Sequence, residues 1–590
     1  MALEEASAAH SPKQLRHLFA VMLITCNLSN PLQLWETHRE SLAEDFHHQA
    51  QIAFPQQQVS YSDVIFKQAL SEVQQHLRTL GNKTLKDFRL PEVLASETAL
   101  PHEYLRELNY NQAELKAFIE QNESSLNPEQ QCVYYIALDS IRANKGSIFF
   151  LDAPGGTGKT FLLNLLLAKV REQKKIALAV ASSGIAATLL TGGRTAHSTF
   201  KLPLSLAHND RAVCPISKNM AAGKLLKDCD LIVWDESTMS HKNAYEAIDR
   251  TLQDLRGNTK PMGGVTVLLA GDFRQTLPVV PRGTKADELH ACLKSSYLWK
   301  NIRQLSLSTN MRAYLTGNQN TANFSKALLL IGDGNVPGCS PEGNIIIPVG
   351  SQVKSIKDLQ NSIFPHLVQN YQDTKWLASR AILAPRNDAV DAINVDLLKA
   401  LPGAIRSYLS VDTVLEESQA VHYPIEFLNS LELPGIPPHN LLLKIGAPIM
   451  LLRNLDPPKL CNGTRLTVKS LMNNVIEATI LTGTFQGQCV FIPRIPIIPS
   501  DMAFEFKRLQ FPLRLSFAMS INKSQGQTLS RAGLALETPC FSHGQLYVGC
   551  SRVGSSSDLF TFTPTTKRRM LFTKKFCEVF FVSFIFQNEL

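Results

Sequence analysis

Between Ser147 and Val170 the chain reads SIFFLDAPGGTGKTFLLNLLLAKV. An apolar run leads into a glycine-rich turn, then Lys159-Thr160, then leucines at helical spacing. Strand, phosphate-cradling loop and helix in that order specify one βα unit of an α/β sheet. Gly155, Gly156 and Gly158 let backbone N–H groups close around a phosphate, because no Cβ blocks the dihedrals or the close approach. The partial positive charge of the helix N-terminus adds to that anion site. Lys159 is expected to reach the β- and γ-phosphates, and the Thr160 hydroxyl to hold Mg²⁺. The nucleotide cradle is therefore Ala153, Pro154, Gly155, Gly156, Thr157, Gly158, Lys159 and Thr160. Ala153 stands where the G-x-x-x-x-G-K-[ST] pattern has its first glycine. A chain built around this segment is expected to bind a nucleoside triphosphate.

At 590 residues the chain is too long for a single core. A hydrophobic share of 44% and a charged share of 19% are those of a globular protein and exclude wholesale disorder. The 59 basic and 51 acidic residues leave a net charge of +8, a basic excess compatible with nucleic acid. The 11 cysteines form no C-x-x-C pair, which argues against a zinc ribbon or a disulfide framework and for reduced thiols. No apolar run approaches the ~20 residues of a membrane span, so no membrane partner is expected.

Residues 1–120 read as a helical N-terminal region, with three- and four-residue apolar spacing in Leu34–Phe46 and Ser62–Leu80. His47-His48 lacks a third ligand at metal spacing and is read as surface or core. From Gly146 the texture changes to short apolar runs alternating with helical stretches. Ile176–Ala181, Asp230–Val233 and Val265–Ala270 are strand-length runs suited to a parallel sheet covered on both faces. A second set is expected at Ala381–Ala384, Leu513–Ala518 and Gly533–Leu536. Between them, Leu441 to Arg508 carries short strands, prolines and the Asn462-Gly463 turn, the pattern of a small β-barrel-like insertion.

Phosphoryl transfer from a nucleotide needs one carboxylate to fix Mg²⁺ and another to polarise the attacking water. LIVWDE, Leu231–Glu236, supplies both at the end of an apolar strand: Asp235 for the metal and Glu236 as base. GDFRQTLP, Gly271–Pro278, follows another apolar strand and places Gln275 where a γ-phosphate sensor would stand. Arg312 in STNMRA follows a short strand, Gln304–Leu307. Arg552 in GQLYVGCSRV falls late in a predicted helix. Both are candidate arginine fingers, which can contribute about 10³ to 10⁵ in rate.

Six segments in order carry a resemblance: LNPEQ (Leu126–Gln130), APGGTGKT, LIVWDE, GDFRQ, SINKSQGQT (Ser520–Thr528) and LYVGCSRV. Together with YEAIDRTLQDLRG and SSGIAATLLTGGRTAHSTF, they make residues 120–563 resemble the Pif family of superfamily-1B DNA helicases, in the branch carried by Helitron transposons. The resemblance implies two RecA-like P-loop domains with a small SH3-like β-barrel insertion. Motor domain 1 would then occupy residues 121–330, motor domain 2 residues 331–440 and 509–563, and the barrel residues 441–508. It implies ATP as fuel, with Gln130 reading the adenine, and 5′-to-3′ movement on single-stranded DNA with unwinding of duplex. Thr195, His197, Ser198 and Phe200 fall in its strand-contacting motif. Asn522, Lys523, Ser524, Gln525 and Thr528 fall in the motif joining nucleotide state to DNA grip.

Residues 564–590 do not resemble the family's usual end, and no His-x-His pair accompanies the motor motifs, so no DNA nicking is expected. A transposon-derived nucleic-acid binder without unwinding activity is the alternative, and a P-loop ATPase of another class a third. The chain is expected to act as a monomer in the nucleus; Lys567-Arg568-Arg569 with Lys574-Lys575 is a candidate nuclear address, with a solvated charged tail as the alternative reading.

Overall fold

The computed structural model describes residues 2–7, 11–26, 28–53, 60–81, 83–93, 102–203, 206, 209, 211–280, 283–311, 319–337, 344–416, 422–433, 435–499, 502, 504–564 and 568–569. The chain divides into two compact units. One comprises residues 103–366, 379–394 and 518–590, the other residues 1–102, 367–378 and 395–517.

The first of these contains two parallel sheets. The larger has strands β1 (Ile148–Asp152), β2 (Ala177–Ala181), β3 (Arg194–Thr195), β4 (Leu231–Asp235), β5 (Thr266–Gly271) and β6 (Ile302–Ser306), in the order β3-β2-β4-β5-β1-β6. β1, β2, β4 and β5 are buried along nearly their whole length, which explains their unbroken apolar sequences. Register brings Asp152 level with Gly271 and Ser306, and Ala181 level with Asp235. Every strand therefore ends at one edge, and in an open parallel sheet that edge is where ligands bind. The second sheet, also parallel, runs Ala518–Ser520, Arg380–Ala384, Arg531–Ala535, Leu559–Phe562 and Ser351–Val353. Two parallel α/β sheets in one unit are the RecA-like arrangement.

One strand expectation needs correcting. Leu513–Ala518 does not form a single strand of the second sheet. Leu513–Leu515 pairs antiparallel with Pro448–Leu451, and only Ala518–Ser520 joins Arg380–Ala384. The intervening Ser516 and Phe517 are both fully buried, so burial continues across the change and the residue pattern hides the switch.

In the other unit, Pro448–Leu451 belongs to a five-stranded antiparallel sheet with Arg465–Leu471, Val475–Ile480, Cys489–Pro493 and Leu513–Leu515. A three-stranded sheet of Val411–Val414, Phe506–Gln510 and Ile495–Ile497 accompanies it. The inserted β region thus reaches beyond residues 441–508 at both ends. Its unit also holds the N-terminal helices Pro12–Thr25, Pro31–Ala53 and Asp63–Gly81, whose core includes Val475 and Phe491 of the five-stranded sheet. Buried Arg16 joins the three helices, bonding Asp45 in two places and Glu72, each at 2.7 Å. His47 stacks on Tyr61, with ring centroids 4.2 Å apart. No described helix is long and apolar enough to cross a membrane.

Candidate nucleotide site

The loop after β1 turns into the helix Lys159–Glu172 with Gly156 at φ 91° and Gly158 at φ 78°, dihedrals that favour glycine. Space is a second constraint. A Cβ on Gly158 would sit 2.6 Å from the Gln130 amide nitrogen, and one on Gly156 2.8 Å from that of Asn310. The loop is braced from outside by those neighbours. Gln130 donates to the Thr157 carbonyl at 3.0 Å, and Met311 donates its backbone N–H to Gly156 at 2.9 Å.

Lys159, at the first helical position, reaches Asp235 at 2.6 Å and Glu236 at 3.4 Å. Both carboxylates are buried, and the Lys159 side chain is 12% exposed. Burial alone would lower the Lys159 pKa, but the two carboxylates outweigh it and raise it, so the ammonium stays charged. Glu236 sits at φ 49°, a left-handed conformation that costs a non-glycine residue energy. That backbone turn aims the two consecutive carboxylates at the end of β4 toward one point.

A cavity of about 310 Å³ opens over these groups. From the first sheet it is lined by Ala153 to Gly156, Gly158 to Phe161, Leu189, Asp235, Glu236, Gln275 and Met311. From the second it is lined by Gly526, Gln527, Thr528, Ser551 and Arg552. Arg552 is 5% exposed and follows the short helix Gln545–Cys550 instead of lying within it. Its guanidinium donates to the Val548, Ser524 and Gln527 carbonyls at 2.8, 3.2 and 3.0 Å. The arginine thereby fastens the Ser520–Thr528 segment to the one that follows the helix. Arg312 lies outside the described residues.

The residues present suit Mg²⁺ with a triphosphate. Asp235 and Glu236 bring two carboxylates against the single ammonium of Lys159, and the Thr160 hydroxyl lies at the same cavity wall. Gln275 Oε1 is buried there without a hydrogen-bond partner. No group of three or more His, Cys, Asp or Glu side chains at metal spacing occurs among the described residues. A cation here would take most of its oxygens from phosphate and water, as Mg²⁺ commonly does.

Two further contacts join the sheets behind the cavity. Tyr547 donates to Asp272 at 2.9 Å, and the Gly544 backbone lies so close to Arg274 and Gln275 that a Cβ would meet them at 2.4–2.5 Å. Arg274 bonds Asp333 at 2.7 Å. Burial, then the neighbouring Asp272, pushes the Asp152 carboxyl up to about 6. Tyr547, Asp272 and Arg274 carried no role in the sequence reading. They stand within the GDFRQ and LYVGCSRV segments, but only the packing of one sheet's loops on the other's reveals their partners.

Several residues assigned to DNA contact are placed otherwise. Phe200 is in the core, tilted against Trp234 at 5.7 Å between centroids, and is no stacking platform. Thr195 is the N-cap of Ala196–Phe200, accepting from Ser198 N–H. Ser524 is fully buried, bonding the Ile521 carbonyl, and Thr528 lines the nucleotide cavity. Gln525 is 1% exposed and bonds Glu236. His197 and Lys523 are exposed, with Ser198 and Asn522 partly so.

Residues 125–341 match the model of the PIF1-like helicase family, and residues 426–471 that of the DNA helicase Pif1 2B domain. The ATP-dependent DNA helicase PIF1 of Danio rerio is 28% identical over 440 residues, 74% of this chain and 60% of its own length. The crystal structure of the Pif1 helicase from Candida albicans matches with a TM-score of 0.54 at 26% identity, over 75% of this chain and 95% of that one. A Pif1 helicase from Bacteroides, crystallised with ADP-AlF3 and ssDNA, shares the fold at a TM-score of 0.53 and 24% identity, over 74% of this chain and 92% of that one. The chain spans roughly half to two thirds of the length of the curated relatives it matches. A phosphate loop, paired carboxylates and a second-sheet arginine thus line one cavity in a chain whose segments match these two family models in order.

Proposed function

We propose that this chain is an ATP-driven DNA helicase of the Helitron type, moving 5′ to 3′ along single-stranded DNA and unwinding duplex. The observation that carries the reading is the cavity itself, with Lys159, Asp235, Glu236 and Gln275 on one wall and Thr528 and Arg552 on the other. Nucleotide bound there touches both sheets at once, so its charge state biases how they close.

In the proposed reaction the loop N–H groups and Lys159 hold the β- and γ-phosphates. Glu236 accepts a proton from the attacking water as its oxygen bonds the γ-phosphorus and the bond to the β,γ-bridging oxygen breaks. Arg552, joined by Arg312, neutralises charge on the transferring oxygens, and Gln275 senses the γ-phosphate. Mg²⁺ held through Thr160 and, by water, Asp235 would neutralise the phosphate oxygens. Gln130 spends one amide N–H on Thr157 and has a second for the adenine edge. Exposed His197 and Lys523, with Ser198 and Asn522, are the proposed strand contacts. Affinity for DNA is therefore expected to fall steeply with salt.

Nuclear placement, resting on the basic cluster from Lys567 to Lys575, is part of the same proposal, as are action as a monomer and a role in replication, recombination, repair or telomere maintenance. ATP turnover measured with and without single-stranded DNA tests it, alongside unwinding of duplexes with a 5′ or a 3′ tail. DNA-stimulated turnover and unwinding from the 5′ tail are expected. Unwinding from the 3′ tail alone would reverse the polarity, and DNA binding without turnover would favour an inert remnant.

A further inference from the structure

The Ser520–Thr528 segment has two faces. Lys523 is exposed to solvent, whereas Gln525, two residues on, is 1% exposed and turned inward. Both ends of the Gln525 amide are used. Its Oε1 accepts from the Thr276 hydroxyl at 2.5 Å, and its Nε2 donates to Glu236 Oε2 at 3.2 Å. The other Glu236 oxygen faces Lys159 at 3.4 Å. Thr276 directly follows Gln275. One side chain therefore joins the base, the loop carrying the γ-phosphate sensor, and the turn that presents Lys523. Glu236 itself is held at φ 49° in a short turn, Ser237–Met239 beyond it, a strained conformation that depends on its neighbours.

We propose that Gln525 is a positioning residue through which DNA seated on the Asn522-Lys523 face sets the orientation of Glu236. The inference rests on the helicase reading above. Displacement of the turn by a bound strand moves Gln525, and with it the donor that fixes Glu236 Oε2. The base is then swung toward or away from the attacking water without any change in the phosphate loop.

The test uses Gln525→Glu in the full chain. This substitution keeps the size of the side chain and the acceptor for Thr276 but removes the donor to Glu236. Gln525→Ala serves as a second variant, and thermal melting verifies that each is folded. The expected result is that DNA stimulation of ATP turnover falls to within about twofold of none, while KM for ATP stays within about threefold of wild type. Amide hydrogen exchange supplies a readout independent of turnover. Adding single-stranded DNA without nucleotide is expected to change exchange at Glu236–Met239 in the wild type and not in Gln525→Glu. Wild-type stimulation retained in both variants, or an unaltered exchange response, overturns the inference alone. A wild-type chain whose turnover ignores DNA overturns both the inference and the helicase reading.

Discussion

The Lys159 ammonium lies 2.6 Å from Asp235 Oδ1, where the side chains of Asp235 and Glu236 are buried. Among the described residues, Lys159 is the only cation ion-paired with these two carboxylates. Lys159→Ala is expected to reduce ATP turnover at least about hundredfold, because it removes a charge aimed at the developing phosphate oxygens. Turnover assays across ATP concentrations check this, and wild-type turnover in the variant would refute the assignment of the loop.

Arg552 donates to three carbonyls and to the Ser551 hydroxyl while lining the cavity. Arg552→Lys is expected to recover little of the activity lost in Arg552→Ala, on the order of 10³-fold, since an ammonium cannot reproduce the planar fork. Comparing kcat of the two variants decides it: near-wild-type turnover in the lysine variant would mean that charge alone suffices.

Arg508 and Asp412 are both wholly buried, 2.7 Å apart, and the guanidinium also donates to the Leu428, Leu431 and Pro437 carbonyls. Asp412→Ala leaves that cation without its counter-charge, and a destabilisation of about 3–5 kcal/mol is expected. Urea unfolding followed by circular dichroism measures it. A loss below about 1 kcal/mol would show that the carbonyls suffice.

His76 packs edge-on against His17 at 5.2 Å, and His17 bonds Asp456 at 2.8 Å. Burial, then the His17 charge, lowers the His76 pKa from 6.5 to about 4. Above pH 6.5 the imidazole is neutral both folded and unfolded, so this stability is fully present there. Between pH 6.5 and about 4 only the unfolded chain takes the proton, and stability falls as pH falls. Melting temperatures of wild type and His76→Gln across this window are expected to converge toward acid. Parallel curves would exclude His76 as a source of the slope.

Much of the nucleotide site was legible because its residues are local in sequence. The glycines at 156 and 158 answer to backbone dihedrals set within a few residues, and Asp235-Glu236 ends a strand whose apolar run is visible by itself. The strand ends in β2, β4 and β5 lie within a residue or two of expectation for the same reason. Phe200 and Gln525 were less readable. An aromatic residue in a contact motif reads the same whether it faces a base or, as here, Trp234. A glutamine in a polar turn likewise does not reveal a hydrogen bond to a glutamate 289 residues away.

The sequence alone determined the βα phosphate loop, the identity of the charged groups and the alternation that makes parallel sheets, since each depends on short-range sterics and periodicity. Tertiary structure alone decided where the segment from Leu513 to Ala518 changes sheets. It also decided that Arg552 braces the Ser524–Gln527 turn, and that Tyr547 and Gln525 meet groups of the first sheet. Those outcomes depend on which surfaces are brought together when the chain closes on itself, and a buried polar side chain takes whichever partner that closure supplies.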